Sequence, residues 1–230
     1  FQSTSDTETI LHLIARSQKQ STVDRIIDAL FEVEGAYALI GIANDKLIGV
    51  RDPLGIRPLV LGKLNESYIL ASETCALDII GAKFIREIKN GEVVVITKDG
   101  LESYMPFPKK PERPCIFEYI YFARPDSIVG GKSIYECRKV FGRELSKESH
   151  IDADMVIPVP DSGVPSAIGY AEQAGIPFEL GITRNHYVGR TFIQPKQSIR
   201  SFSVRLKHNA NRTLVAGKKI VLIDDSIVRG

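Results

Sequence analysis

The chain has 230 residues, 43% of them hydrophobic, which is enough to bury one large or two small cores. Its net charge of +2 singles out no class of partner, and no apolar run approaches the roughly 20 residues that cross a bilayer. Three widely spaced cysteines, Cys75, Cys115 and Cys137, argue against a disulfide framework. We therefore expect a protein of the reducing cytoplasm.

The first 105 or so residues predict two helices followed by antiparallel strands. Ser5 and Glu8 form a capping-box pattern, which favours a helix to about Ser17, and a second helix is indicated over residues 23–31. Short apolar or alternating runs follow, such as "KLIGV", "SYILAS" and "GEVVVIT". Turn pairs separate these runs at Asn44-Asp45, Asn65-Glu66, Asn90-Gly91 and Asp99-Gly100. This pattern indicates an α+β unit with hairpins.

The second half of the chain alternates strands with helices. Four prolines in "MPFPKKPERPC" predict a linker, so we divide the chain into residues 1–108, a linker at 109–117 and residues 118–230. We expect a helix over 134–149 and another that Ser162 or Gly163 opens and Gly175 follows. "DMVIPVP", "FELGI" and "KKIVLID" read as strands. The alternation predicts a doubly wound parallel sheet with ligands at the carboxyl ends of its strands.

A long basic segment lies between two of these strands. From Leu180 to Ile223 there is no Asp or Glu, and the segment carries nine lysines and arginines. Such a stretch suits a polyanionic ligand, and we expect residues 185–210 to be mobile without one. A non-enzymatic regulator that binds nucleic acid through residues 184–219 is the alternative. Asp224 and Asp225 count against that alternative, because carboxylates repel a phosphate backbone.

Two strand ends carry groups suited to a phosphorylated sugar. Asp224 and Asp225 follow an apolar run, where they could hold sugar hydroxyls and Mg²⁺, while "SIVRG" offers hydroxyl and N–H groups to a phosphate. The turn at residues 161–163 runs into a helix and presents free N–H groups to a pyrophosphate. Taken singly, a solvated turn and a plain helix cap are the more ordinary interpretations.

Longer motifs resemble known families. "VLIDDSIVRG" resembles the phosphoribosyl pyrophosphate signature of type I phosphoribosyltransferases. "EYIYFARPDS", "YVGRTFI" and "VRLKHNANR" are similar to the glutamine phosphoribosylpyrophosphate amidotransferase family, and "RDPLGIRPL" and "ASETCALD" resemble class II glutamine amidotransferase domains. The resemblance implies an α+β N-terminal nucleophile hydrolase portion, with two stacked sheets between helices. An α/β type I phosphoribosyltransferase portion with a mostly parallel sheet would follow it.

The activity implied by this resemblance is the first committed step of de novo purine (IMP) biosynthesis. Ammonia from glutamine would replace the pyrophosphate of phosphoribosyl pyrophosphate, giving 5-phosphoribosylamine, glutamate and pyrophosphate. The resemblance also implies Mg²⁺, inhibition by purine nucleotides and a homo-oligomer, either a dimer or a tetramer. A related synthase with the same glutaminase domain and another acceptor domain stays open, although "YVGRTFI" disfavours it.

The same resemblance implies roles for individual residues. Asp6 matches the aspartate that holds the α-amino group of glutamine, and Asp224 and Asp225 match the groups that hold ribose and Mg²⁺. Ser162, between Asp161 and Gly163, would contact Mg²⁺ and pyrophosphate. The 5′-phosphate would lie on Ser226, Ile227, Val228, Arg229 and Gly230. A loop that closes over the substrate would carry Tyr187, Arg190 and Lys207.

Some family features have no counterpart in the sequence. The family's N-terminal nucleophilic cysteine is not matched, so we expect an internal piece of a larger enzyme that has no glutaminase activity of its own. Cys115 matches a [4Fe–4S] ligand found in one branch of the family, but one cysteine does not decide whether a cluster is present. Gly163 stands where the family has a hydroxyl residue in the pyrophosphate turn.

Overall fold

The computed structural model describes residues 2–187 and 207–227 of the chain. It divides into two units. The first comprises Phe1–Glu118 with Ile128–Gly130, and the second comprises Tyr119–Ser127 with Gly131–Gly230. No helix among the described residues is long and apolar enough to cross a membrane.

The proline-rich segment, where we predicted a linker, is held to the backbone of residues 54–56. Arg113 N donates a hydrogen bond to Leu54 O (2.8 Å), and Cys115 N donates one to Ile56 O (3.0 Å).

Two helices open the first unit, α1 (Thr7–Arg16) and α2 (Thr22–Phe31). The predicted capping box at α1 is wrong, because Asp6 is the residue that precedes the helix and its side chain makes no capping bond. The carboxylate of Glu8 instead accepts hydrogen bonds from the N–H groups of Gln2 (2.6 Å) and Ser3 (2.8 Å). These contacts lower the pKa of Glu8 to about 2.

Apart from its last, short strand, the strands of the first unit form two antiparallel sheets. In chain order they are β1 (Ala38–Ala43), β2 (Lys46–Arg51), β3 (Val60–Leu64), β4 (Ser67–Ala71), β5 (Lys83–Glu87), β6 (Val93–Thr97), β7 (Gly100–Tyr104) and the short β8 (Ile128–Val129). Helix α3 (Thr74–Ile79) lies between β4 and β5 in the chain. The first sheet has the order β1-β2-β6-β7 and the second the order β4-β3-β5. Three of the four predicted turn pairs join hairpins, but Asn90-Gly91 leads from the second sheet to the first.

The apolar residues of this unit pack in layers. One face of the first sheet contributes Ile48, Val50, Val93 and Val95 to a core on which residues of α1 and α2 pack. Between the sheets lies a second core of Leu59, Leu61, Ile88 and Val94. A third core joins β3 to Leu77 of α3. Two stacked sheets between helices are the arrangement that the resemblance implied for this half.

A buried turn follows β2 and fixes the neighbouring backbone. Asp52 is fully buried and its carboxylate accepts hydrogen bonds from Leu54 N (2.9 Å) and Ile56 N (3.1 Å). The guanidinium of Arg51 donates to the carbonyl groups of Gly55 (3.1 Å), Arg57 (2.9 Å) and Ile88 (2.8 Å). These bonds give "RDPLGIRPL" a structural role.

The second unit holds the alternating elements. They are β9 (Lys132–Ser133), α4 (Ile134–Glu148), β10 (Met155–Pro158), α5 (Val164–Ala174), β11 (Ile182–Arg184), β12 (His208–Ala210), α6 (Arg212–Val215) and β13 (Ile220–Ile223). A π-helical turn at Glu118–Phe122 precedes them. The carbonyls of Tyr119 and Ala123 accept hydrogen bonds from the buried guanidinium of Arg138 in α4 (2.9 and 2.7 Å).

Parallel pairing occurs where the sequence predicted it, but one predicted strand is wrong. β10 and β13 pair in parallel, with Val156 opposite Val221. "FELGI" forms only an isolated parallel bridge from Phe178 to Val156. The strand in this region begins at Ile182 instead and pairs antiparallel with β12. A wider parallel sheet stays a prediction.

Helices α4 and α5 cross with their backbones in contact. Each contributes a glycine to the crossing. A Cβ atom added to Gly142 would lie 1.9 Å from the carbonyl oxygen of Ser166, and one added to Gly169 would lie 2.0 Å from that of Lys139. Helix α5 begins after Gly163, has proline in its first turn and ends at Gly175 in the left-handed conformation (φ 69°), as predicted. The helix over 134–149 is also confirmed, one residue shorter at its end.

Candidate active site

The two strand ends singled out from the sequence meet in the second unit. Val159 N donates a hydrogen bond to Ile223 O (2.7 Å), and Gly163 N donates to Val159 O (3.0 Å). Gly163 lies so close to β13 that a Cβ atom there would be 2.5 Å from Ile223 O. The turn at residues 161–163 therefore lies against the carboxyl end of β13, directly beside Asp224.

Two short strands within the basic segment, β11 and β12, lie at the same place. β11 and β12 form an antiparallel ladder in which Arg184 is opposite His208, and Asn185 N donates a hydrogen bond to Lys207 O (2.7 Å). The guanidinium of Arg184 forms an ion pair with the carboxylate of Asp161. The ladder and the ion pair thus place Arg184, within the basic segment, beside the turn that begins at Asp161.

His208 occupies the centre of this arrangement. The backbone of Pro160, the residue before Asp161, lies close enough to the His208 ring to affect its pKa. Burial lowers the pKa of His208, and the positive charges of Lys207 and Arg184 lower it further. Its Nε2 atom is buried and has no hydrogen-bond partner among the residues that the structure describes.

Adjacent carboxylates stand at the end of β13. Burial raises the pKa of Asp224, and the charge of Asp225 acts in the same direction. The N–H of Asp225 donates to Asp224 Oδ1 (2.8 Å), and the nearby His208 also opposes the rise. The hydroxyl of Ser226 donates to Asp225. Two carboxylates held side by side favour a bound cation, because it cancels their repulsion.

Other predicted residues are less constrained. Tyr187 is fully exposed, and its backbone N–H donates to Asn185 Oδ1 (3.0 Å). Lys207 lies at the end of the ladder, and Ile227 is fully exposed beyond Ser226. Arg190 and residues 228–230 lie outside the described residues, as does most of the segment 185–210 for which we predicted mobility.

The first unit has a separate cleft. It measures about 510 Å³ and lies between the start of α1 and the strands β1 and β2, lined mainly by apolar side chains such as Ile10, Ile14 and Leu39. Ser5 and Thr7 line this cleft, and the exposed Asp6 lies between them. Cys115 is half-buried, and within residues 2–187 and 207–227 no three His, Cys, Asp or Glu side chains are grouped to hold a metal ion.

Comparison with known proteins identifies the family. Residues 1–78 match the family model described as a glutamine amidotransferase domain. The amidophosphoribosyltransferase of Rhizobium etli is 60% identical across all of this chain and 47% of its own length. The chloroplastic amidophosphoribosyltransferase 1 of Arabidopsis thaliana is 53% identical across all of this chain and 41% of its own length. The chain belongs to the amidophosphoribosyltransferase family.

A solved amidophosphoribosyltransferase structure has the same fold as this chain. The glutamine phosphoribosylpyrophosphate amidotransferase of Bacillus subtilis, complexed with ADP and GMP, matches with a TM-score of 0.91 at 46% identity, over 99% of this chain and 50% of that one. The chain spans about half the length of the curated amidophosphoribosyltransferases it matches. The resemblance drawn from the motifs is therefore confirmed over the full chain.

Sequence reasoning on this amidophosphoribosyltransferase homologue missed two residues of the site. Arg184 and His208 lie within the acid-free basic stretch and were given no role of their own, although Arg184 pairs with Asp161 and His208 lies opposite Arg184 in the ladder. Their positions depend on the register of β11 with β12, which joins residues more than 20 positions apart. The one local signal was that both residues lie within the basic segment from Leu180 to Ile223.

Proposed function

We propose that the gene product carrying this chain transfers ammonia derived from glutamine to phosphoribosyl pyrophosphate, forming 5-phosphoribosylamine, glutamate and pyrophosphate. The proposal rests on one observation. The turn at residues 161–163 lies against the end of β13, where Asp224 and Asp225 follow, and Arg184 is paired with Asp161 of that turn. This site combines carboxylates, a guanidinium and the start of a helix. Such groups suit a ligand that carries both sugar hydroxyls and phosphates.

Each part of the ligand would meet a different set of residues. Asp224 and Asp225 would hold the ribose hydroxyls, because carboxylates accept hydrogen bonds from them. The N–H groups at the start of α5, with Ser162, would face the pyrophosphate. The segment from Ser226 onward would receive the 5′-phosphate through hydroxyl and N–H groups. Tyr187, Arg190 and Lys207 would cover the leaving group and exclude water from the reacting carbon.

The donor set at this site fits Mg²⁺. Magnesium in proteins commonly takes one or two carboxylates and completes its shell with substrate phosphates and water. Asp224 and Asp225 supply two adjacent carboxylates, and burial with mutual repulsion already raises the pKa of Asp224. Ser162 adds a hydroxyl at the neighbouring turn. Bound there, Mg²⁺ would neutralise charge on the departing pyrophosphate.

The cysteines of this chain would not by themselves hold an iron–sulfur cluster. A cluster needs about four thiolates, whereas the chain has three cysteines, one of them buried, and they lie in different units. Cys115 could be at most one ligand among others.

The remaining parts of the proposal come from the family. The first unit would supply the glutaminase half, with Asp6 beside the cleft holding the glutamine α-amino group. The domain division at residues 109–117, the type I phosphoribosyltransferase fold of the second unit, the cytoplasmic location, the homo-oligomer and the inhibition by purine nucleotides are proposed with it. The nucleic-acid alternative has one basic group fewer to draw on, because Arg184 is paired with Asp161.

The test uses the complete gene product with Mg²⁺ and phosphoribosyl pyrophosphate. Pyrophosphate release should require both the phosphoribosyl donor and either glutamine or ammonia. Asp225→Asn should abolish it, whereas Asp152→Asn, at an exposed aspartate before β10, serves as the matched control. Release of pyrophosphate without glutamine or ammonia would refute the proposal. An Asp225→Asn variant as active as the control would also refute it.

A further inference from the structure

Three carboxylates lie at the two strand ends that would receive the proposed ligand, although that ligand is itself an anion. Asp224 and Asp225 follow β13, where a bound Mg²⁺ would compensate their charges. Asp161 opens the other strand end, the turn at residues 161–163, where the pyrophosphate would meet the N–H groups at the start of α5. An uncompensated carboxylate there would oppose phosphate binding, because like charges repel.

Arg184 compensates this carboxylate from a different strand. Its Nη1 atom forms an ion pair with Oδ2 of Asp161. In the β11–β12 ladder, Arg184 lies opposite His208. The next residue, Asn185, donates its N–H to Lys207 O (2.7 Å). Backbone hydrogen bonds therefore hold the arginine beside the turn.

The exposure of the two side chains indicates which of them faces a ligand. Asp161 exposes 56% of its side chain, whereas Arg184 exposes 30%. The Nε atom of Arg184 is buried, so this part of the guanidinium is withdrawn from solvent. A ligand that approaches from solvent would therefore meet the carboxylate before the guanidinium. In this arrangement Arg184 acts on an anion by neutralising Asp161.

We propose that Arg184 is a positioning residue for the phosphoribosyl donor, which neutralises Asp161 so that the turn at residues 161–163 accepts the pyrophosphate group. This inference rests on the proposed function and adds to it the residue that makes an acidic turn suitable for an anion. One unit charge a few ångströms from another in water changes affinity by about fivefold, and pyrophosphate carries more than one charge. The effect falls on binding of the donor rather than on the chemical step.

Three variants separate this role from direct contact between Arg184 and the phosphates. Arg184→Gln should raise the KM for phosphoribosyl pyrophosphate by about five- to tenfold, because it leaves Asp161 uncompensated. Asp161→Asn should lower that KM by about two- to fivefold, because it removes the repulsion and releases the guanidinium. The double variant should return to within about twofold of the wild type, because neither charge remains. In all three variants kcat should stay within about twofold of the wild type.

The assay measures ammonia-dependent pyrophosphate release by the complete gene product at low and high salt, together with melting temperatures. Lys147→Gln is the matched control, because it removes one positive charge from the exposed ion pair of Lys147 with Glu144 (2.7 Å) in α4. The ratio of the KM of Arg184→Gln to that of the wild type should fall as salt rises, since salt screens repulsion between exposed charges.

Three results would overturn the inference. The first is a KM for Arg184→Gln no higher than that of Lys147→Gln. The second is a double variant that keeps the raised KM, which would mean that Arg184 contacts the phosphates itself. The third is a raised KM with a lowered melting temperature in Asp161→Asn, which would mean that the ion pair only stabilises the fold.

Calorimetric titration with inorganic pyrophosphate and Mg²⁺ gives a readout that does not depend on activity. The Kd should rise in Arg184→Gln, fall in Asp161→Asn and return to near the wild-type value in the double variant. If this order is found but the wild-type protein does not turn over phosphoribosyl pyrophosphate, the proposed function fails and the inference stands. If turnover is normal and the order is absent, only the inference fails.

Discussion

Replacing Gly163 by alanine tests the fit of the turn on β13. The added Cβ would lie 2.5 Å from Ile223 O and 2.9 Å from Val159 O, whereas ordinary contact begins at 3.4 Å, so the turn must move by as much as 0.9 Å (3.4 − 2.5). Both neighbours are backbone atoms and cannot rotate away. The φ of −74° at Gly163 is accessible to alanine, so crowding is the dominant effect.

The magnitude follows from two opposing contributions. Overpacking of this kind costs about 1–3 kcal/mol of unfolding free energy. Alanine reduces the entropy of the unfolded chain and recovers about 0.4–1 kcal/mol. A net loss of roughly 1–2 kcal/mol should lower the Tm by about 2–8 °C in a protein of this size. Because displacement by about 1 Å can cost up to 100-fold in rate, turnover of phosphoribosyl pyrophosphate should fall more than stability does.

The assay combines thermal unfolding with pyrophosphate release. Gly41→Ala is the matched control, because a Cβ at Gly41 in β1 meets no atom within 4 Å. The control should melt at or slightly above the wild-type temperature, since glycine weakens a strand. If Gly163→Ala melts with the control and keeps the wild-type KM, the close approach of the turn to β13 is refuted.

Three further substitutions test other parts of the chain. Asp224→Asn should melt at or above the wild-type temperature, because burial, then the charge of Asp225, disfavours the ionised carboxylate of Asp224 and raises its pKa. The variant should nevertheless gain little stability from Mg²⁺ with phosphoribosyl pyrophosphate. Burial, then the charge of Asp52, raises the pKa of Tyr37 to about 12, so folded-state stability should fall between about pH 10 and 12, and Tyr37→Phe should lack that loss. Glu92→Gln should cost about 2–4 kcal/mol, because the buried carboxylate accepts two bonds from Arg86 (2.7 and 2.8 Å).

Each of these predictions has a decisive outcome. Undiminished ligand stabilisation in Asp224→Asn would make the aspartate an ordinary solvated turn residue. For Tyr37, stability falls as the pH rises because the unfolded tyrosine loses its proton near pH 10 while the folded one retains it. Parallel curves of stability against pH for the wild type and Tyr37→Phe would therefore contradict the argument. For Glu92, the exposed Glu66→Gln serves as the control, and equal melting temperatures of these two variants would show that the buried network contributes nothing.

Local signals decided which elements the sequence could predict. Helix α5 was predicted correctly because proline in its first turn and glycine after its end act on neighbouring residues. "FELGI" failed because a short apolar run does not specify its partner, and only Phe178 pairs with β10. The capping box failed because the N–H groups of residues before the helix compete for Glu8.

The same distinction applies to the site. Asp224 and the turn at residues 161–163 follow apolar strands directly, so the rule that strand ends meet was enough to bring them together. Arg184 and His208 reach the turn only through the β11–β12 register, which no local pattern specifies. Contacts such as the ion pair of Arg184 with Asp161 depend on tertiary distances and cannot be derived from composition or spacing.

The glycines at the crossing of α4 and α5 restrict how this gene can change. Every other amino acid has a Cβ atom, and at Gly142 and Gly169 such an atom would fall within 2.0 Å of a backbone oxygen. A nucleotide change in either codon therefore either keeps the glycine or disrupts the helix crossing, and no conservative amino-acid substitution is available at these positions. A second mutation in the partner helix cannot compensate, because the obstructing atom belongs to the main chain, which every residue shares.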